Sequence, residues 1–267
     1  MNLNKLTERI LAKGSFLCIG LDPDINKIPD SFHNFEDPIF EFCKMVIDAT
    51  REHCVAYKPN TAFFESQGSG GWNSLEKTIN YIGNEHFVIA DAKRGDLGNT
   101  TEKYAEAFFK KLNVDAITLS PYMGLDSVAP YFKYKDKWII LLIKTSNPGS
   151  KDFQTLMVGE NEPLYINVLR KAMTWGKIEN TMFVVGANNL EEFIEIRQLA
   201  PHHFMLVPGF GAQGGKLKDI KPYLSIETVG VLANYSRQVI YAGDYNAVNR
   251  AAREIHDEMK DILLYLK

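Results

Sequence analysis

Short apolar runs alternate with amphipathic stretches along the whole chain. The runs fall at 16–21, 55–59, 87–93, 115–120, 138–145, 182–186, 204–208 and 228–233. Most read as continuous apolar segments rather than strict alternation, the pattern of strands buried on both faces. Between them the spacing turns helical. Tyr104, Ala105, Phe108 and Leu112 follow Asn99 and Thr100; Leu190, Phe193, Ile194 and Leu199 follow Asn188, read here as an N-cap. Val248, Ala252, Ile255, Met259, Ile262 and Leu266 form one stripe, with Arg250, Arg253, Glu254 and Asp257 outside it. Residues 1–13 predict a short amphipathic helix rather than a signal peptide.

Strand–helix alternation predicts an α/β fold with a parallel sheet, and eight strands favour a closed (β/α)8 TIM barrel. No linker or composition break interrupts it, so residues 1–267 are expected to form a single domain. Two connections are long, 22–37 and 147–180. Such loops are functional or hold extra helices, and 164–175 is a candidate helix. Trp72, behind Ser69-Gly70-Gly71, reads as loop packing, and Phe63 and Phe64 as packing residues.

Composition adds exclusions. At 45% hydrophobic, 24% charged and a formal net charge of −3, the chain is ordinary for a globular protein. Its scattered basic residues argue against nucleic acid as a partner. No apolar run reaches the roughly 20 residues of a membrane span. Three cysteines without a CxxC pair, and no secretory start, predict a reduced cytoplasmic protein.

The most informative segment is Ile89-Ala90-Asp91-Ala92-Lys93-Arg94-Gly95-Asp96. Residues two apart on a strand share a face, so Asp91 and Lys93 point the same way as apolar Phe87 and Ile89, toward the barrel interior. Lys58, closing the second strand, arrives at the same level, and Asp96 lies just beyond. An isolated Asp-x-Lys is more often a structural ion pair. At the carboxyl end of a barrel strand, where barrel enzymes keep their chemistry, it becomes a candidate site. After the seventh strand comes Val207-Pro208-Gly209-Phe210-Gly211-Ala212-Gln213-Gly214-Gly215, and after the eighth Asn234-Tyr235-Ser236-Arg237. Glycines let backbone N–H groups approach an anion, Arg237 can fork onto a phosphate, and barrels often bind phosphate between these two loops.

Asp91-x-Lys93-x-x-Asp96, with Lys58 after strand two and Asp22 after strand one, resembles the signature of the orotidine 5′-phosphate decarboxylase family. Thr100, Ser146-Asn147-Pro148-Gly149, the glycines around Gln213, and Ser236-Arg237 match in order, over nearly the whole chain. The segments 58–60 and 91–96 are similar to the branch with larger loops. The resemblance implies a carboxy-lyase that converts orotidine 5′-phosphate to UMP and CO₂, the last step of de novo pyrimidine nucleotide synthesis. It implies a homodimer with shared sites, in which Lys58, Asp91 and Lys93 act in one subunit while Asp96 and Thr100 reach into the other's. Asp22 and Lys58 would contact the ribose, Ser146 and Gln213 the pyrimidine, and Ser236, Arg237 and amides near Gly214 the phosphate side. Decarboxylation at C6 leaves a poorly delocalised carbanion. The sequence carries no thiamine or pyridoxal signature and no metal-ligand spacing, so no cofactor is expected and preorganised charge must stabilise that carbanion. Lys93 is the expected proton donor, kept ionised by the carboxylates.

Three rival readings stand beside this one. A Mg²⁺-dependent sugar-phosphate decarboxylase or aldolase of the same superfamily shares Asp-x-Lys-x-x-Asp, but strand four ends Thr118-Leu119-Ser120-Pro121 without an acid. A Schiff-base aldolase needs a neutral lysine, for which Lys144 is the better candidate. A barrel that only binds a nucleotide would release no CO₂.

Overall fold

The computed structural model describes residues 1–159, 161–210, 215–225 and 227–266. Eight parallel strands close into a barrel: β1 Leu17–Leu21, β2 Ala56–Pro59, β3 Phe87–Arg94, β4 Ala116–Leu119, β5 Trp138–Lys144, β6 Thr181–Val185, β7 Phe204–Pro208 and β8 Val231–Tyr235. β8 closes the ring by pairing with β1, Leu17 beside Ala233 and Ile19 beside Tyr235. The TIM barrel expected from the strand count is the fold observed.

The eighth strand begins later than its apolar run suggests. Val229 and Gly230 precede it with φ of 62° and 68°, a left-handed kink that a strand cannot contain. Ser225 bonds back to Val229 there instead. Asn234 and Tyr235 therefore belong to the strand, and only Ser236 and Arg237 follow it.

Helices surround the barrel: α1 Leu3–Lys13, α2 Pro38–Thr50, α3 Thr61–Glu65, α4 Gly68–Ile82, α5 Gly98–Glu106, α6 Leu164–Met173, α7 Leu190–Leu199, α8 Leu217–Ile220, α9 Arg237–Ile240 and α10 Tyr245–Leu264. The stripe read on the last element is the buried face of α10, except Leu266, which lies past the helix and is only partly buried. Three local readings change. Asn189, not Asn188, caps α7, its side chain accepting from the Glu191 and Glu192 N–H groups. Asn99 and Thr100 lie inside α5 rather than before it, and the helix continues into one π-helical turn, Ala107–Lys111. Trp72 sits in α4, not in a loop. One of its glycines serves a close crossing: a β-carbon on Gly71 would lie 1.8 Å from the Phe64 carbonyl oxygen.

The amino-terminal end of the barrel is filled by aromatics from alternate strands. Trp138 of β5 meets Phe87 of β3 and Phe204 of β7 edge-on, at ring separations of 5.8 and 6.0 Å. Such layers make the barrel a packed core rather than a pore. They also set the alternation above them. Two and four residues on from Phe87 lie Ile89 and Asp91, so the next inward positions at the carboxyl end are free to be polar.

Candidate active site

Two adjoining cavities open at the carboxyl ends of the strands. One, of about 360 Å³, is lined by Lys58, Asp91, Lys93 and Thr118 and by the apolar wall Leu142, Val184 and Leu206, with Thr145, Ser146 and Asn147 at its edge. The other, of about 200 Å³, is lined by Asp22, Asn60, Gly209, Asn234, Ser236 and Arg237. They share Lys58, Asp91 and Pro208. A larger cavity of about 720 Å³ lies beside Met1, Asp115 and Lys137, away from this rim.

At the junction one carboxylate stands between two ammonium groups. Asp91 Oδ2 lies 2.6 Å from Lys58 Nζ and Oδ1 lies 2.6 Å from Lys93 Nζ. The Asp91 and Lys58 side chains are buried, whereas Lys93 is half exposed toward the cavity. Burial alone would push the Asp91 carboxyl up. Lys58 and then Lys93 outweigh it and hold the group well below the usual carboxylate range. Burial would likewise lower Lys58, but Asp91 and then Asp22 raise it above the ordinary lysine value. An ion taken from water costs several kcal/mol unless paired; here each buried charge has its opposite.

Asp22 accepts from the Ser236 hydroxyl through Oδ2, and among the described residues its buried Oδ1 has no hydrogen-bond partner. Asn234 Oδ1, buried in the same cavity, likewise has none among the described residues. Orphaned acceptors of this kind suit a ligand that brings hydroxyl groups. Arg237 is exposed at the far end, and among the described residues no acid lies within ion-pair reach of it. Gly209, at φ 102°, turns the chain there.

The structure thus brings together Asp22, Lys58, Asp91, Lys93, Ser146, Ser236 and Arg237 around one opening. Asp96 does not join them within the chain. Its carboxylate accepts from the adjacent Leu97 N–H at 2.8 Å, and Thr100 is exposed on α5. The crowding of Asp96 with the other charges, expected from proximity in sequence, is not present within the chain. Gln213 and Gly214 lie outside the described residues. Lys144 is buried beside Glu192 at 3.1 Å and bonds Ser150, with an acid where a Schiff-base lysine needs an apolar pocket or nearby cations.

Sequence reading overlooked three polar contributors. Thr118 bonds both Asp91 and the Lys93 backbone. Gln154 grips Thr145 twice, accepting from its N–H at 2.9 Å and donating to its hydroxyl at 2.8 Å, which fixes the loop bearing Ser146. Tyr241 donates to the Asp22 carbonyl and accepts from the Asp24 N–H, both at 2.8 Å. Inward parity on a strand flags only Thr118; the other two come from distant segments.

Residues 15–252 match the Orotidine 5'-phosphate decarboxylase / HUMPS family. This chain belongs to that family. It is 50% identical over 270 residues to the orotidine 5′-phosphate decarboxylase of Flavobacterium johnsoniae, covering 98% of each chain. The structure of Leishmania donovani OMP decarboxylase superposes with a TM-score of 0.87 at 40% identity, over 99% of this chain and all of that one. Leishmania donovani UMP synthase gives the same TM-score at 42% identity, but this chain spans only 56% of its length. The chain carries Lys58, Asp91 and Lys93 together at the carboxyl rim of its barrel.

Proposed function

We propose that this chain decarboxylates orotidine 5′-phosphate to UMP and CO₂, working as one barrel domain in a cytoplasmic homodimer. The observation that carries the reading is Asp91 held between Lys58 and Lys93, at the junction of a half-apolar cavity and a polar one ending at Arg237. In a member of this family those cavities suit a pyrimidine and a ribose phosphate.

The bond between C6 and the carboxylate breaks, CO₂ departs, and the electron pair stays on C6. The Lys93 ammonium faces that pair and delivers a proton to C6. Asp91 lies against the departing carboxylate and disfavours the charged ground state. Lys58 keeps Asp91 ionised and in place. Asp22 and Lys58 take the ribose hydroxyls and Ser146 the pyrimidine. Ser236 and Arg237 hold the phosphate end, whose binding energy orients the ring. Gln213 and Gly214, outside the described residues, are assigned to the pyrimidine and the phosphate by the family motif alone.

The dimer completes the site by bringing the partner's copies of Asp96 and Thr100. Leu97, next to Asp96, and Tyr122, Met123 and Leu125 after β4 leave apolar side chains in water, with Tyr122 85% exposed. Exposed apolar clusters of this kind mark interaction surfaces. Three free, buried cysteines fit a reducing compartment, and no described helix is long and apolar enough to cross a membrane.

The test is an absorbance assay with orotidine 5′-phosphate in EDTA. Release of UMP and CO₂ supports the reading. Nucleotide binding without CO₂ release would favour the binding-only barrel, and activity that appears only on adding Mg²⁺ would favour the metal-dependent relatives.

A further inference from the structure

β3 departs from regular pairing where its charged residues sit. Between Ala90 and Arg94 its register against β4 slips. Lys93 lies in this bulge with φ 47°, a left-handed conformation that residues with a β-carbon rarely adopt. Something must hold it there, and the contacts identify Thr118 of β4.

The Lys93 N–H donates to Thr118 Oγ1 at 2.9 Å, and Thr118 Oγ1 lies 3.1 Å from Asp91 Oδ1. An amide N–H can only donate, so the hydroxyl accepts from it and sends its single proton to the carboxylate. That same carboxylate oxygen accepts from Lys93 Nζ at 2.6 Å. The contacts close a ring through the Lys93 backbone, Thr118, Asp91 and the Lys93 ammonium. Thr118 is 1% exposed, so water offers no ready substitute.

We propose that Thr118 is a positioning residue for the decarboxylation, its hydroxyl holding the strained Lys93 backbone and the Asp91 carboxylate in the one arrangement that aims the ammonium into the cavity. This role rests on the decarboxylase reading above. The plainer alternative is that Thr118 only satisfies a buried N–H and contributes to folding alone.

Thr118→Val, of the same shape without the hydroxyl, and Thr118→Ser, which keeps it, separate the two. Steady-state kinetics with orotidine 5′-phosphate, UMP binding and thermal unfolding are measured for each. Thr118→Val is expected to lower kcat by about 10- to 100-fold. KM and UMP affinity should stay within about threefold of wild type, and Thr118→Ser should recover most of kcat. A folded Thr118→Val enzyme with wild-type kcat overturns the proposal, as does a serine variant as slow as the valine one. If Thr118→Val does not fold, Thr118→Ala removes the same hydroxyl and is judged by the same outcomes. An inactive wild-type chain overturns the decarboxylase reading and this role together; an active one with an indifferent valine variant overturns this role alone.

Discussion

Lys93 Nζ lies 2.6 Å from Asp91 Oδ1, a contact between two residues of one strand. The Lys93 side chain is 52% exposed to the cavity, that of Asp91 only 9%. The ammonium therefore touches both its counter-ion and the space where a substrate would lie. Lys93→Ala removes the proposed proton donor and the positive charge at once. UMP formation is expected to fall by about 10³-fold or more. Near-wild-type turnover in single-turnover kinetics would sink the assignment of Lys93.

Asp96 turns to its own neighbour's N–H and away from the lysines. If it serves the second subunit, mixing Lys93→Ala and Asp96→Ala proteins restores one intact site in each mixed dimer. Random exchange then returns roughly a quarter of wild-type activity, since about half the dimers are mixed and each has one good site of two. No recovery in heterodimers verified by mass spectrometry would count against sharing.

Arg237 stands at the polar end of the paired cavities without an acidic partner among the described residues. Arg237→Ala should reduce kcat/KM for orotidine 5′-phosphate by about 100-fold through loss of a bidentate contact. The slow turnover of phosphate-free orotidine should not change. Equal losses on both substrates would place Arg237 outside the phosphate site.

Two buried histidines should lower stability in mild acid. Burial lowers His86 and His203 to about 4, from an ordinary value near 6.5. Both are neutral in the folded protein and gain a proton on unfolding. Their contribution is complete above about pH 6.5 and is lost as pH falls toward 4. Each should cost about 2 kcal/mol of stability between pH 7 and pH 5. The depressed Asp91 acts lower, its contribution being lost only below the ordinary aspartate range. His86→Gln should flatten the pH dependence of the unfolding midpoint over this window; an unchanged slope would show that His86 is not the group responsible.

Gly71 lies where α4 crosses the end of α3, with room for no β-carbon against the Phe64 carbonyl. Gly71→Ala should destabilise the protein by roughly 1–3 kcal/mol through overpacking, despite alanine's better helix propensity. A rise in the denaturation midpoint would refute that crossing.

Much of the fold was legible because buried parallel strands are apolar on both faces. Seven of the eight runs lie within two residues of the strands they announce, from Leu17–Leu21 to Phe204–Pro208. The eighth slipped because Thr228 and Val229 are apolar or β-branched, while the left-handed backbone at Val229 and Gly230 cannot be read from residue type. Trp72 was misplaced for a related reason. Glycines before it suggest a loop on propensity, but tertiary packing asks for glycine inside the helix.

By itself the sequence determined the barrel, the inward parity of Asp91 with Phe87 and Ile89, and the family motifs around Lys58, Lys93 and Arg237. These follow from period-two alternation and from residue chemistry, both local. Only the tertiary structure decided that Thr118 joins Asp91 to the Lys93 backbone, that Gln154 and Tyr241 pin the loops bearing Ser146 and Asp22, and that Asp96 turns aside. A hydrogen bond between strands, or between loops far apart in the chain, depends on register, bulges and closure of the ring. Those are settled by how the whole barrel packs, not by any one segment's composition.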